Sequence, residues 1–145
     1  MDDLIAHPDG IYALDSGYER PQLAAIHLIV EEGRVAVVDT GTNASVPRVL
    51  TALARLGVAP EAVEWVMLTH IHLDHAGGAG SLMCALPAAK LLVHPRGIRH
   101  MVDPSKPWEG TAAVYGPERA FALYGRLVGV DPERTHTYKS RRGSK

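Results

Sequence analysis

One cysteine in 145 residues, Cys84, leaves no partner for an intrachain disulfide. It stands among Leu82, Met83, Ala85 and Leu86, a setting that predicts a buried small hydrophobe and not a nucleophile. An excess of charge of one sign is also missing. With a formal net charge of −1 the chain has no general attraction for nucleic acid or an anionic membrane, and neither is expected as a partner. No stretch approaches the ~20 apolar residues of a membrane span. The opening Met1-Asp2-Asp3 is acidic and no long apolar run follows it, which argues against a signal peptide and predicts a cytoplasmic location. There is no internal repeat and no low-complexity segment.

What is present suits one soluble domain. The hydrophobic fraction is 46% and the charged fraction 21%, ordinary values for a chain long enough to bury a core. Basic residues gather once, at Lys139, Arg141, Arg142 and Lys145, a run that reads as a solvated tail. Thr135 to Lys145 holds no apolar residue except Tyr138, so no core strand is expected there. The resulting division is a partial domain over 1–130 and a polar, basic, disordered tail over 131–145.

Periodicity predicts an α/β protein. Ile11 to Leu14 is a candidate first strand, and Ala25 to Glu31 with Arg34 to Thr40 forms a strand pair around a Glu32-Gly33 turn. Val35 to Val38 is continuously apolar, as expected for a strand covered on both faces. Val46, Leu50, Leu53 and Gly57 follow a helical repeat, with Asn43 or Ser45 to cap its start. Val63 to Thr69 returns to strand character, a short helix runs through Leu86 after Gly77-Gly78, and Lys90 to Val93 is another strand. From Pro95 the pattern loosens: Pro104, Pro107, Trp108 and Gly110 predict a long loop. Pro117 then opens a helix with Ala120, Leu123, Tyr124, Leu127 and Val128 on one face. Strands alternating with helices give the α/β class.

One hexapeptide carries chemistry. His70-Ile71-His72-Leu73-Asp74-His75 puts three imidazoles and a carboxylate, ligands suited to zinc, within six residues. His70 and His72 lie two apart on an extended segment, so their side chains share a side. Asp74 and His75 follow the strand end, where a turning backbone can return them to one site. The small residues Ala76-Gly77-Gly78 then allow close approach to a bound metal.

These residues match the His-x-His-x-Asp-His signature, and the chain resembles the metallo-β-lactamase-fold superfamily. Val37-Val38-Asp39-Thr40-Gly41 is similar to that family's strand-ending Asp-x-Gly motif, and the order of elements agrees over about residues 11 to 128. The resemblance implies the N-terminal βα half of a four-layer αββα sandwich. It makes His70 and His72 ligands of a first metal, and Asp74 and His75 ligands of a second, two zinc ions being the implied cofactor. Asp39 becomes an acid that orients the ligand loop, although a capping or turn role beside Gly41 suits it too. His72, where a redox branch of the family carries an acid, favours the hydrolases. Divalent metal lowers the pKa of bound water to about 7, and metal-held hydroxide attacks a carbonyl or phosphoryl carbon or phosphorus, with Asp74 holding it in line.

The ligand count is short. Two ions with about three protein ligands each need about six places, and this cluster fills four. In the family the remainder come from a later Gly-His motif, a bridging aspartate and a last histidine. His136, without a preceding glycine or an apolar strand, is a poor substitute. His94 reads as structural, His27 as exposed on its strand, and His7 and His100 have no supporting pattern. Trp108 and Tyr115 either wall a substrate site or pack in the core. The implied function is metal-dependent hydrolysis of a small ester, thioester, lactone or amide. The alternatives are an inactive remnant that binds metal weakly, or a nuclease of the same fold, for which no basic face is evident. A half sandwich also leaves one sheet face bare, which predicts self-association.

Overall fold

The computed structural model describes residues 4–16, 25–69 and 73–137, with the backbone alone of Asp74. Seven strands, β1 (Leu4–His7), β2 (Ile11–Asp15), β3 (Ala25–Glu31), β4 (Arg34–Val38), β5 (Val63–Met67), β6 (Lys90–Val93) and β7 (Thr135–Thr137), form one sheet in sequence order. The first four are antiparallel neighbours. Their turns use residues at positive φ, Asp9-Gly10 and Glu32-Gly33, which bend in the sense that suits the strand twist. From β4 to β7 the strands are parallel. Parallel neighbours need crossovers, which are supplied by α1 (Val46–Arg55), α2 (Leu73–Ala76) with α3 (Ala79–Ala85), and α4 (Ile98–Val102) with α5 (Ser105–Tyr115) and α6 (Pro117–Tyr124).

Each crossover steps one strand in the same direction. Right-handed connections therefore set every helix on the same side of the sheet. The core lies on that side alone. Leu28, Val37, Val66 and Leu91 of the sheet meet Val49 and Leu53 of α1 and Leu82 and Met83 of α3. Each such side chain, fully buried, is worth about 1.5–3 kcal/mol. The expectation that β4 is covered on both faces is corrected here. Val35 and Val37 are buried, while Ala36 and Val38, pointing the other way, are only half-buried.

Four further expectations change. β1 went unpredicted, because Leu4 to His7 has neither alternation nor length. The loop expected around Pro104 to Gly110 is helical: Pro107 sits in the first turn of α5, where its missing N–H costs no helical bond. The helix from Pro117 ends at Tyr124, where Gly125 takes φ 69, so Leu127 and Val128 fall outside it. Cys84 is exposed and not buried, since α3 turns Leu82 and Met83 into the core and Cys84 away from it.

The expectation of no strand beyond Thr135 is overturned. Thr135–Thr137 pairs with β6 through Leu91↔Thr135, Leu92↔His136 and Val93↔Thr137. Arg134 holds it there. Its guanidinium donates to the carbonyls of Met83 at 2.9 Å, Leu86 and Ala89 at 2.8 Å, at the end of α3 and in the loop after it; those of Met83 and Leu86 also accept a backbone N–H. Backbone pairing and one arginine thus place a polar strand that hydropathy does not mark. Residues 138–145, with the basic run, lie outside the described residues. No helix among the described residues is long and apolar enough to cross a membrane.

Candidate metal centre

In open α/β sheets ligands collect beyond the carboxyl ends of the parallel strands. Here β4 runs into Asp39, β5 into Thr69 and the histidine cluster, and β6 into His94. His70 and His72 lie outside the described residues, as does the side chain of Asp74, so the geometry on view is that of Asp39, Thr69 and His75.

Asp39 leaves β4 with φ 64, a left-handed turn that aspartate tolerates better than most residues. Its N–H donates to the Met67 carbonyl at 2.7 Å, which ties the turn to β5. Its carboxylate, nearly buried, accepts from the Thr69 N–H at 2.8 Å and from the Thr69 hydroxyl at 2.8 Å and 3.1 Å. The same carboxylate stands 3.3 Å from Nδ1 of His75. The two roles weighed for Asp39, turn residue and loop-orienting acid, therefore coexist in one side chain. Thr69 was missed in the sequence, and a threonine before a histidine gives no signal of this contact.

The backbone around His75 is held as closely. Thr40 N–H donates to the His75 carbonyl at 2.7 Å, with the Thr40 hydroxyl 3.2 Å from the same oxygen. Gly78 N–H donates to the Gly41 carbonyl at 2.9 Å. A Cβ at Gly78 would stand 2.5 Å from the Thr42 carbonyl oxygen, and one at Gly77 2.5 Å from that of Leu73. The two glycines are needed for the ligand segment to turn and to dock on residues 41–43, a packing reason independent of the expected approach to a metal.

A metal ligand histidine normally offers one ring nitrogen to the ion and the other to a carboxylate or carbonyl. His75 has Nδ1 3.3 Å from the Asp39 carboxylate, and the donor set of His70, His72, Asp74 and His75 is chemically that of a zinc site. The residues fit the group. Among the described residues alone, no three histidine, cysteine or acidic side chains converge.

The other candidates fall elsewhere. His94 caps the turn after β6, its Nδ1 accepting from the Arg96 N–H at 3.1 Å. His27 is exposed on β3. His136 lies on β7 with its ring edge-on to Trp65, centroids 5.8 Å apart. Trp108 lines a cavity of about 390 Å³ with Pro104, Phe121 and Leu127. Tyr115 instead faces Tyr124, at 6.5 Å between ring centroids.

Replacing Asp39 by asparagine keeps an acceptor for Thr69 but removes the charge beside His75. Metal affinity should fall by about 10–100-fold with the fold intact. A zinc competition titration of wild type and Asp39→Asn measures this, and equal affinities would remove Asp39 from the site.

Comparison with known proteins agrees with the geometry. Residues 20–141 match the family model of the metallo-beta-lactamase superfamily. A hydroxyacylglutathione hydrolase of Xanthomonas campestris pv. campestris is 41% identical over 64 residues, 44% of this chain and 23% of the relative. The uncharacterized protein YobT of Bacillus subtilis is 30% identical over 70 residues, 48% of this chain and 29% of that one. MEM-A1, a subclass B3 metallo-beta-lactamase from a soil metagenome library, superposes with TM-score 0.69 at 22% identity, over 96% of this chain and 47% of its own. FEZ-1 of Legionella gormanii gives 0.69 at 17%, over 96% and 48%. The chain thus spans less than a third of these curated relatives and about half of these structures. With the family model matched over most of its length, this chain belongs to the metallo-beta-lactamase superfamily.

Proposed function

We propose that this chain is the metal-holding half of a hydrolase acting on a small ester, thioester, lactone or amide, at a cytoplasmic location. The observation that carries the reading is the Asp39 carboxylate, seated by Thr69 at the end of β4 and 3.3 Å from the imidazole of His75. A buried acid 3.3 Å from a histidine whose sequence neighbours include two more histidines and another acid is chemistry that a structural turn does not need.

His70 and His72 would hold one divalent ion and Asp74 and His75 a second, both zinc. When bound, the metal supplies a water acidified to about pKa 7 and a Lewis acid for the carbonyl oxygen. The rest is done by the chain. Asp39 sets its carboxylate 3.3 Å from Nδ1 of His75, Thr69 fixes Asp39, and Thr40 fixes the backbone of His75. Asp74 would be the carboxylate that orients the nucleophile. The acyl class is carried over from the relative named a hydroxyacylglutathione hydrolase. The apolar cavity at Trp108 gives an acyl group a place near the ligand loop. Its walls Pro104 and Leu127 also border a recess lined by Leu73 and Gly77.

The half-length match to solved structures favours a second reading, a site too incomplete to turn over. One experiment separates the two. Thioester, lactone and aryl ester substrates are offered, with zinc or manganese, to this chain and to a version extended by the family's second half. Turnover by the extended version, lost in Asp74→Ala, is the expected result, with none by the 145-residue chain. Misplacing a nucleophile by ~1 Å costs about 100-fold, and missing ligands cost more. Absence of turnover in both would overturn the proposed activity, whereas metal-dependent turnover by the short chain would show its ligands to be sufficient.

A further inference from the structure

Asn43, one of the two residues expected to cap α1, does not cap it: Ser45 stands at that helix start, and no side chain closes it. The amide is spent on other segments. Its Nδ2 donates to the Tyr124 carbonyl at 3.0 Å and to that of Arg126, while its Oδ1 accepts from the Ser81 hydroxyl at 2.8 Å. Carbonyls can only accept, so the partners fix which way the amide faces. One side chain thereby joins residues 41–43, α3 and the turn after α6. Both ends of this tie bear on the site. Residues 41–43 receive the segment that carries the candidate ligands, with Gly78 docked on Gly41 and Thr42. At the other end Arg126 and Leu127 wall the cavity of Trp108 and Phe121, and Leu127 also borders the recess of Leu73 and Gly77. Gly125, at φ 69, lets the turn come this close, since a Cβ there would stand 3.1 Å from Asn43 Nδ2. The helices before the turn are lightly anchored: α5 buries no side chain, and α6 only Ala120 and Tyr124. Nor does α6 need the amide in order to end, because the Gly125 N–H already donates to the Phe121 carbonyl at 2.8 Å.

We propose that Asn43 is a positioning residue of the substrate site. By tying the turn after α6 to the segment that receives Gly78, it holds the cavity in one place beside the candidate metal ligands, and so selects which acyl groups the site admits. The proposal rests on the reading of that cavity as the acyl site. A volume of about 390 Å³ suits a small molecule, and walls of Pro104, Trp108, Phe121 and Leu127 suit an uncharged alkyl or aryl chain. Held by both carbonyls, the turn keeps one position. Released, it samples several, and affinity falls with the fraction of time spent in the competent one.

The test follows Trp108 emission in a Trp65→Phe background, without metal, as methyl ketones with butyl, hexyl, octyl or phenethyl groups are added. The ketone stands in for the acyl carbonyl and cannot be hydrolysed. Binding with a preference among these ketones is expected. Asn43→Asp keeps the size and the acceptor for Ser81, but turns oxygens that cannot donate towards two carbonyls. It should weaken binding about tenfold, as when the competent position is kept about a tenth of the time, and should level the preference. Asn43→Ala, which adds no charge, should do the same. Ser81→Ala cuts the tie to α3 and leaves both donations to the turn, so it should bind like the parent. Equal affinities in the parent and both Asn43 variants would overturn the positioning role and leave the cavity reading intact. An equal loss in Ser81→Ala would also overturn it, by making Asn43 a packing residue of α3. No ketone bound by the parent would overturn the acyl-site reading itself, and the role of Asn43 with it.

Discussion

Zinc bound by the chain should be lost on changing His70 and His72 together to alanine. The two imidazoles are half of the hexapeptide's donors and all of those assigned to one ion. An ion left with water in place of its protein ligands is no longer distinguished from solvent. Each assigned pair falls short of the about three or four protein ligands of a stable site, so wild-type affinity should lie well below that of a complete site, and the variant keeps only Asp74 and His75. The control is internal, because His27, His94, His100 and His136 remain in the variant and report any adventitious binding. Elemental analysis after gel filtration gives the metal content. Thermal melting gives an independent reading, because an ion that binds only the folded state raises stability by about 2.7 kcal/mol at 100 times its Kd. Wild type should therefore melt higher with zinc and the double variant should not. Equal zinc in the two proteins would sink the assignment of these residues, whatever the activity proves to be.

Gly80→Ala should destabilise the fold strongly, against the usual rule for a helix. Gly80 lies within α3, where alanine would ordinarily gain about 1 kcal/mol in propensity. A Cβ here, however, would stand 1.8 Å from the Val128 carbonyl oxygen and 2.8 Å from the Val128 Cβ. The obstacle is backbone and cannot rotate away as a side chain would. The segment past it is itself tied down, Val130 N–H donating to the Met101 carbonyl at 2.9 Å. Overpacking of this kind costs about 1–3 kcal/mol or more, so the clash outweighs the propensity gain. A net loss of about 2 kcal/mol corresponds to a melting point roughly 5–8 °C lower. Gly110 in α5 makes the matched comparison, since a Cβ there meets nothing within 4 Å and Gly110→Ala should hold or raise the melting point. A Gly80→Ala protein as stable as wild type would show that the close approach of α3 to Val128 is not a tight one.

Much of this protein is determined by local pattern. Alternation in Ala25 to Glu31, the apolar run of Val35 to Val38 and the helical repeat from Val46 to Leu53 each state their element, because period and turn residues are properties of consecutive positions. The hexapeptide proposed to bind metal is equally local, four candidate donors within six residues. Tertiary structure decided what depends on residues far apart in the chain. Thr69 reaches Asp39 across thirty positions, and no pattern within either segment records that hydrogen bond. Thr135–Thr137 is a strand only because β6 offers it an edge and Arg134 finds three carbonyls around the end of α3; its own side chains bury too little to require one. The bare face of the sheet has the same origin. Val38 and Trp65 are apolar in the sequence, but that they face away from every helix follows from the common direction and hand of the crossovers.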